Sequence, residues 1–387
     1  MSGASASPLL VCPQSRQPLR LLAFDEACAA VAPGRLPGTN GPALLLDPPP
    51  AQVLLRADRR LAYPVIDGIP VLLSPEALAV EPIAGEADRG PHGSPAGSQP
   101  RFKLAADPRF AEAYAEMKHY NAVAAGHLRQ LHRSTAAAAI APALRAGAAE
   151  RRSFPAPATC WLDLLYDMPA QQTAYRHLAP LNGKRLLQAG GSGLQAIVLL
   201  LAGAAEAWLA SPMIGELRLA RALAQLAGVA DRLHCVAAVG EELPFVSACF
   251  DGIFCPGSLH HMQIGLAASE FARVLRPGGR LAACEPWRAP LYGLGTRLLG
   301  KVEPGIHCEV FTARRLHLFV RAFPGARVEH HGTLTRYPFV ALGKLGRRPG
   351  RSVVWWLSRA DDAICGRLPW LRRQGSSLAI LATRHSG

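Results

Sequence analysis

The chain has 387 residues, half of them hydrophobic and only 18% charged, which is enough apolar surface to build a core and excludes wholesale disorder. Its 36 Gly and 33 Pro follow no three-residue period, excluding collagen, and its nine cysteines include no CxxC pair, arguing against a secreted disulfide framework and for a reducing cytoplasm. A formal charge of +14, from 42 Lys and Arg against 28 Asp and Glu, permits contact with nucleic acid or an anionic lipid surface without establishing either.

The opening MSGASASPLLVCP has no basic segment and no long apolar segment, so no signal peptide is expected. Short β-type runs follow, PLLVC, ALLL, QVLLR and the bent hairpin-like LAYPVIDGIPVLL, which predict a small β-rich module over residues 1–80. Residues 81–106, rich in Gly, Pro and Ser without apolar period, read as a flexible linker. A helical lead-in is expected over 107–180, where Phe110, Tyr114, Met117 and Tyr120 recur at spacings of three and four. Within it, the Ala-rich and then Pro-broken run from Ser134 to Pro157 leaves order and disorder open.

From residue 181 to the end, strand-like and helix-like segments alternate: GKRLLQAG, LQAIVLLLAG, AEAWLAS, GELRLARALAQLAG, RLHCVAA, FDGIFCP, ASEFARVLR and GGRLAACEP. Such alternation implies βαβ units, hence an α/β class domain with a doubly wound, Rossmann-like, mostly parallel sheet. The weakly charged stretch Leu186 to Ala205 approaches membrane-spanning length, yet GGSG interrupts it, so strand, turn and buried helix are expected there. The last two strands are placed around Val328 and at Leu378 to Thr383, with a helical basic insertion at about 338–372 between them. From Ala341 onward nine basic residues face only Asp361 and Asp362; a solvated helical face, an RNA surface and an acidic-lipid surface are the readings of that excess.

In an open parallel sheet, ligands bind beyond the carboxyl ends of the strands. The first such turn here is QAGGSGLQ, where Gly190, Gly191 and Gly193 carry no side chain to block a ligand and a helix start offers free N–H groups. GEELPFVSACFDGIFCPGSLHHM and EFARVLRPGGRLAACEP follow in order. With these motifs, residues 181 to 290 resemble the class I S-adenosylmethionine (SAM)-dependent methyltransferases, in particular the branch that includes the quinone-biosynthesis enzymes; ELPF, FDGIF, SLHHM and RVLRPGGRL carry the resemblance.

The resemblance implies the class I methyltransferase fold, SAM as cofactor and methyl transfer to a small molecule or specialised metabolite. Three positions depart from the family pattern. Gln188 stands where an acid usually ends the first strand, Ser211 where a carboxylate commonly holds the ribose, and Val239 where an acid precedes the LPF turn. A charge-assisted hydrogen bond of this kind is worth about 1.5 to 3 kcal/mol, so each loss weakens binding roughly tenfold to a hundredfold unless it is replaced. Gln188, Ser211 and Glu241 or Glu242 are the candidate replacements. His260 and His261 are candidate bases at the end of a strand, and Glu285, Trp287, Arg288 and Tyr292 are acceptor-side candidates. His307 and Cys308 are adjacent, lack an activating third group, and are not expected to form a nucleophilic pair.

CPQSRQPL with LAYPVIDGIPVLLSPEA resembles the small zinc-ribbon-related Trm112 family, whose members partner and stabilise methyltransferases. Ser15 occupies the place of the second knuckle cysteine after Cys12, so a metal-free module is expected. The remaining alternatives are a non-catalytic binding or scaffold protein of the same fold and an RNA methyltransferase. Nucleic acid is not the favoured partner, because no aromatic-rich RNA-binding module is present; a partner protein is possible, and no transmembrane segment is expected.

Overall fold

In the computed structural model, which describes residues 7–32, 36, 50–80, 108–132, 168–288, 310–347 and 351–385, the chain begins with an antiparallel sheet of short strands. The run expected to be a linker, the segment 134–157, Tyr292, His307 and Cys308 lie outside the described residues. The first strands are β1 (Leu19–Ala23), β2 (Gln52–Arg56), β3 (Leu61–Ile66), β4 (Ile69–Pro70) and β5 (Leu78–Ala79), ordered β1-β2-β3-β4 with β5 on β3, and helix α1 (Phe24–Ala30) follows β1. Asp67 and Gly68 turn β3 into β4 with φ of 52° and 72°; two successive left-handed residues match the twist of a tight hairpin, and an Asp-Gly pair tolerates them.

Two helices precede the main sheet, α2 (Pro108–His132) and α3 (Met168–Leu178). The alternation then runs β6 (Arg185–Ala189), α4 (Leu194–Leu201), β7 (Glu206–Ala210), α5 (Ile214–Ala227), β8 (Leu233–Val236), β9 (Phe250–Pro256), α6 (Ile264–Val274) and β10 (Leu275–Pro286). After it come α7 (Ala313–Ala322), β11 (Arg327–His331), three helices α8 (Arg336–Lys344), α9 (Arg351–Gly366) and α10 (Pro369–Arg372), and finally β12 (Ser377–Thr383).

The seven strands are ordered β11-β12-β10-β9-β6-β7-β8; β12 runs antiparallel to both neighbours and the pairs from β10 to β8 are parallel. This is the class I methyltransferase-like α/β arrangement. Because the chain moves from β6 outward through β7 and β8, then returns to β9 on the other side, the switch point lies at the carboxyl ends of β6 and β9. Consecutive β6 residues serve opposite faces: Leu186 packs in one apolar cluster and Leu187 in the other, so both faces are covered by helices.

The small N-terminal sheet is part of this core. Val71 bridges Ala237 in parallel beyond β8; the Leu72 N–H donates to the Ala237 carbonyl and the Ala237 N–H to the Pro70 carbonyl, each at 2.8 Å. A second attachment pairs Leu10 with Phe245. Ile69, Val71 and Leu73 join one main cluster, while Leu10, Cys12, Tyr63 and Leu72 join the other. The module thereby covers the edge of the large sheet, which would otherwise present unpaired backbone groups. Cys12 is buried, with its sulfur 3.3 Å from the Tyr63 hydroxyl; among the described residues no group of three or more His, Cys, Asp or Glu is placed to hold a metal ion.

Candidate active site

The glycine turn after β6 is held by the residue that stands in place of the family's acid. The Gln188 side chain, 1% exposed, accepts a 2.6 Å hydrogen bond from the Ala196 N–H through Oε1 and donates at 2.8 Å to the Gly190 carbonyl through Nε2. A carboxylate would only accept; the amide ties the turn to the first turn of α4 from both sides. Gly190, Gly191 and Gly193 all have positive φ, between 74° and 80°, where side chains are strained. They differ in what lies near them. Gly190 and Gly191 line a cleft, and a methyl group on Gly190 would strike the Ser258 side chain. Gly193 faces the core, where an added Cβ would stand 2.6 Å from the Ala220 Cβ and 2.8 Å from the Leu209 Cδ2, so this glycine lets the start of α4 pack closely against α5 and β7.

The cleft, about 690 Å³ and open to solvent, lies at the switch point. Ser211 follows β7 and lines it together with Glu216 from the first turn of α5. The Ser211 hydroxyl donates to Glu216 Oε2 at 3.0 Å and accepts from the Met213 N–H at 3.2 Å. Burial pushes the Glu216 carboxyl up to about 7; the Ser211 hydrogen bond opposes the shift, and the charge of Glu116 adds to it. Val239 and Glu241 form another wall, with Glu241 Oε1 accepting the Gln263 N–H at 2.7 Å.

Helix α2 closes the cleft with Glu116 and Tyr120. Glu116 is buried, and its Oε1 lies 2.7 Å from Nδ1 of His261, which also lines the cleft; the Tyr120 ring stands edge-on to the His261 ring at 6.4 Å. No motif in the sequence marks Glu116 or Glu216. Glu116 belongs to a helix far upstream whose side of approach no motif marks, and Glu216 stands five residues past the position where the ribose carboxylate is sought.

The two histidines have different surroundings. His260 is buried outside the cleft lining, with Nδ1 2.7 Å from Glu285 Oε2. Glu285 in turn accepts the N–H groups of Leu259 at 2.9 Å and His260 at 3.2 Å, so this carboxylate holds the turn that carries His261. Glu242 is likewise directed away, accepting a 2.5 Å hydrogen bond from Ser74 of the N-terminal module. Trp287 pairs through its backbone with Phe311 and sets its ring edge-on to His330 at 5.3 Å, and Arg288 is exposed with its N–H donating to the Phe311 carbonyl. None of Gln188, Gly193, Glu242, His260, Glu285 and Trp287 lines the cleft; Gly190, Gly191, Ser211, Glu241 and His261 do.

Among curated proteins, the chain is similar to the 27-O-demethylrifamycin SV methyltransferase of Amycolatopsis mediterranei, 41% identical over 104 residues that make up 26% of this chain and 38% of that one. It is also similar to the O-methyltransferase rstn1 of Aspergillus nomiae, 32% identical over 110 residues, 28% of this chain and 49% of that one. The chain thus matches less than half the length of either relative. A solved geranyl diphosphate methyltransferase in complex with SAM aligns at 17% identity and TM-score 0.41 over 56% of this chain and 85% of its own. The part of the chain that builds the glycine turn, the Ser211 and Glu216 wall and the His261 turn, residues 187–283, matches the family model of a methyltransferase domain.

Proposed function

We propose that the protein is a SAM-dependent methyltransferase acting on a small molecule or specialised metabolite. The observation that carries this reading is the convergence, at the switch point of the sheet, of a side-chain-free turn (Gly190, Gly191), a hydroxyl–carboxyl pair (Ser211, Glu216) and a histidine–carboxylate pair (His261, Glu116) in one cleft. These groups fit SAM: backbone at Gly190 and Gly191 admits the amino-acid end, Ser211 and Glu216 can hold ribose hydroxyls, and two carboxylates favour a cation. When bound, SAM supplies an electrophilic methyl group on a cationic sulfur.

The chain's own part is positioning and proton handling. Glu116 Oε1 lies 2.7 Å from Nδ1 of His261, so the carboxylate's charge favours a proton on Nδ1 and leaves Nε2 to take a proton from an acceptor hydroxyl. His260 and Glu285 act as positioning residues for that turn. Tyr120 and Met262 narrow the cleft against water.

The Trm112-like reading of the N-terminal module is supported by its Asp67-Gly68 hairpin and its attachment at Ala237, where it serves as a built-in stabilising partner. A cytoplasmic setting is supported by the seven described cysteines, all free thiols. Calorimetry with SAM and with S-adenosylhomocysteine tests the function. Binding at micromolar concentration is expected; no heat and no thermal shift at about millimolar ligand would leave the non-catalytic scaffold reading, to which Gln188 and Val239 point.

A further inference from the structure

The helical block between β11 and β12 turns the opposite side inward from most surface helices. On α9, Val354, Ser358, Asp361 and Cys365, at spacings of four, three and four, are buried. Asp361 accepts the N–H groups of Leu334 and Thr335 at 3.0 Å and the Thr335 hydroxyl at 2.8 Å, while Asp362 meets Nδ1 of His331 at 2.9 Å. Polar contacts and a small cluster of Phe339 and Val354 therefore fasten the helix. Its apolar stripe, Val353, Trp356, Leu357 and Ile364, faces out, with Trp356 70% exposed. Leu368 and Trp370 continue the exposed apolar surface, Trp370 at 65%.

The charge on this side has one sign. Between residues 345 and 373 the sequence holds seven arginines and only two acids, Asp361 and Asp362, both engaged inward. Arg347, Arg359, Arg367 and Arg373 are exposed. Three of the six tryptophans of the chain fall between 355 and 370. Large exposed apolar residues among arginines, rich in tryptophan, are the composition of a segment that lies in the plane of a bilayer interface: the rings sit at headgroup level, and the arginines reach anionic phosphates.

We propose that the outward face of α9, continued by Trp370, docks this protein on an anionic lipid bilayer as a peripheral contact. No helix among the described residues is long and apolar enough to cross a membrane, so the contact lies on the surface. A second copy bound through the same face would bring like charges together. Nucleic acid would leave Val353, Leu357 and Ile364 without a use. The block joins His331 to Ser377, which pair with each other, and Ser377 pairs with Pro286, so the block leaves the sheet at the carboxyl end of β10. The proposal stands independently of methyl transfer.

The test is co-sedimentation of the full chain with vesicles of phosphatidylcholine alone and with about 30 mol% phosphatidylserine. Binding to the anionic vesicles only, with a blue shift of tryptophan emission and release by about 0.5 M salt, is expected. Trp356→Gln with Trp370→Gln, and separately Arg347→Glu with Arg367→Glu, should each weaken partitioning about tenfold or more while thermal unfolding is unchanged, because these side chains are exposed. Absence of binding to anionic vesicles, binding by either variant as strong as that of wild type, or a dimer that hides Trp356 and dissociates in Trp356→Gln would each overturn the proposal.

Discussion

Glu216 lines the cleft beside Ser211, where on the proposed reading it takes the place of a ribose carboxylate, and its surroundings give it a measurable signature. Its folded-state carboxyl is raised to about 7 from an ordinary value of 4.5, chiefly by burial. A raised carboxyl favours the folded state while protonated, so this contribution is present below pH 4.5 and is lost as pH rises through 7. Glu216→Gln should therefore be more stable than wild type at about pH 8, on the order of 3 kcal/mol, and indistinguishable near pH 4, as read by denaturant midpoints. If hydroxyls of the ligand donate to the ionised form, S-adenosylhomocysteine should bind more tightly at pH 8 than at pH 6, and the Gln variant should lose that slope and about tenfold in affinity. A pH-independent affinity in wild type would remove Glu216 from the binding set. His261→Ala should instead spare S-adenosylhomocysteine affinity and lower turnover about a hundredfold, the usual scale of a lost general base; a variant with full turnover would place the proton elsewhere.

At the scale of elements, the strand–turn–helix unit β6-α4 separates two tasks that the glycine cluster alone does not distinguish. Gly191 faces the cleft, and an added Cβ there meets the Gln188 amide and Pro256 at an ordinary 3.4 Å, whereas at Gly193 it meets Ala220 at 2.6 Å. Gly193→Ala should lower the thermal midpoint by several degrees, since the start of α4 cannot move away from α5 and β7 without cost. Gly191→Val should chiefly remove ligand binding, at a strain cost of about 1–2 kcal/mol for a left-handed residue. Circular dichroism melts with and without S-adenosylhomocysteine check both; equal melting of the two variants, or a preserved ligand shift in Gly191→Val, contradicts this division. Helix α2 matters in the same way, because it brings Glu116 and Tyr120 onto a cleft whose other walls come from strand ends.

For the whole molecule, the N-terminal sheet and the α/β domain share their apolar clusters and a backbone ladder at Ala237. Removing residues 1–80 would expose the edge beyond β8 and strip Ile69, Val71 and Leu72 from the two cores. The truncated chain is expected to aggregate or to lose a cooperative melt, and co-expression of residues 1–80 should restore soluble protein. A truncated chain that is soluble and melts at the wild-type temperature would show instead that the module is dispensable.

What could be read in the sequence is what local chemistry dictates. Alternating apolar runs such as KRLLQAG and AEAWLAS specify buried parallel strands, glycines mark the turn that opens the cleft, and FDGIF and RVLRPGGRL identify the unit around them. Those patterns were enough for the α/β fold, in which Gly190, Gly191, Ser211, Glu241 and His261 line the cleft. The tertiary structure alone decided which neighbour each polar side chain meets. It turned Gln188 onto the backbone, His260 onto Glu285 and Glu242 onto Ser74, and it brought Glu116 to His261 from 145 positions away in the chain. Adjacent residues such as Glu241 and Glu242, or His260 and His261, share their composition and spacing signals, so only the packing of distant elements against opposite sides of one turn tells them apart.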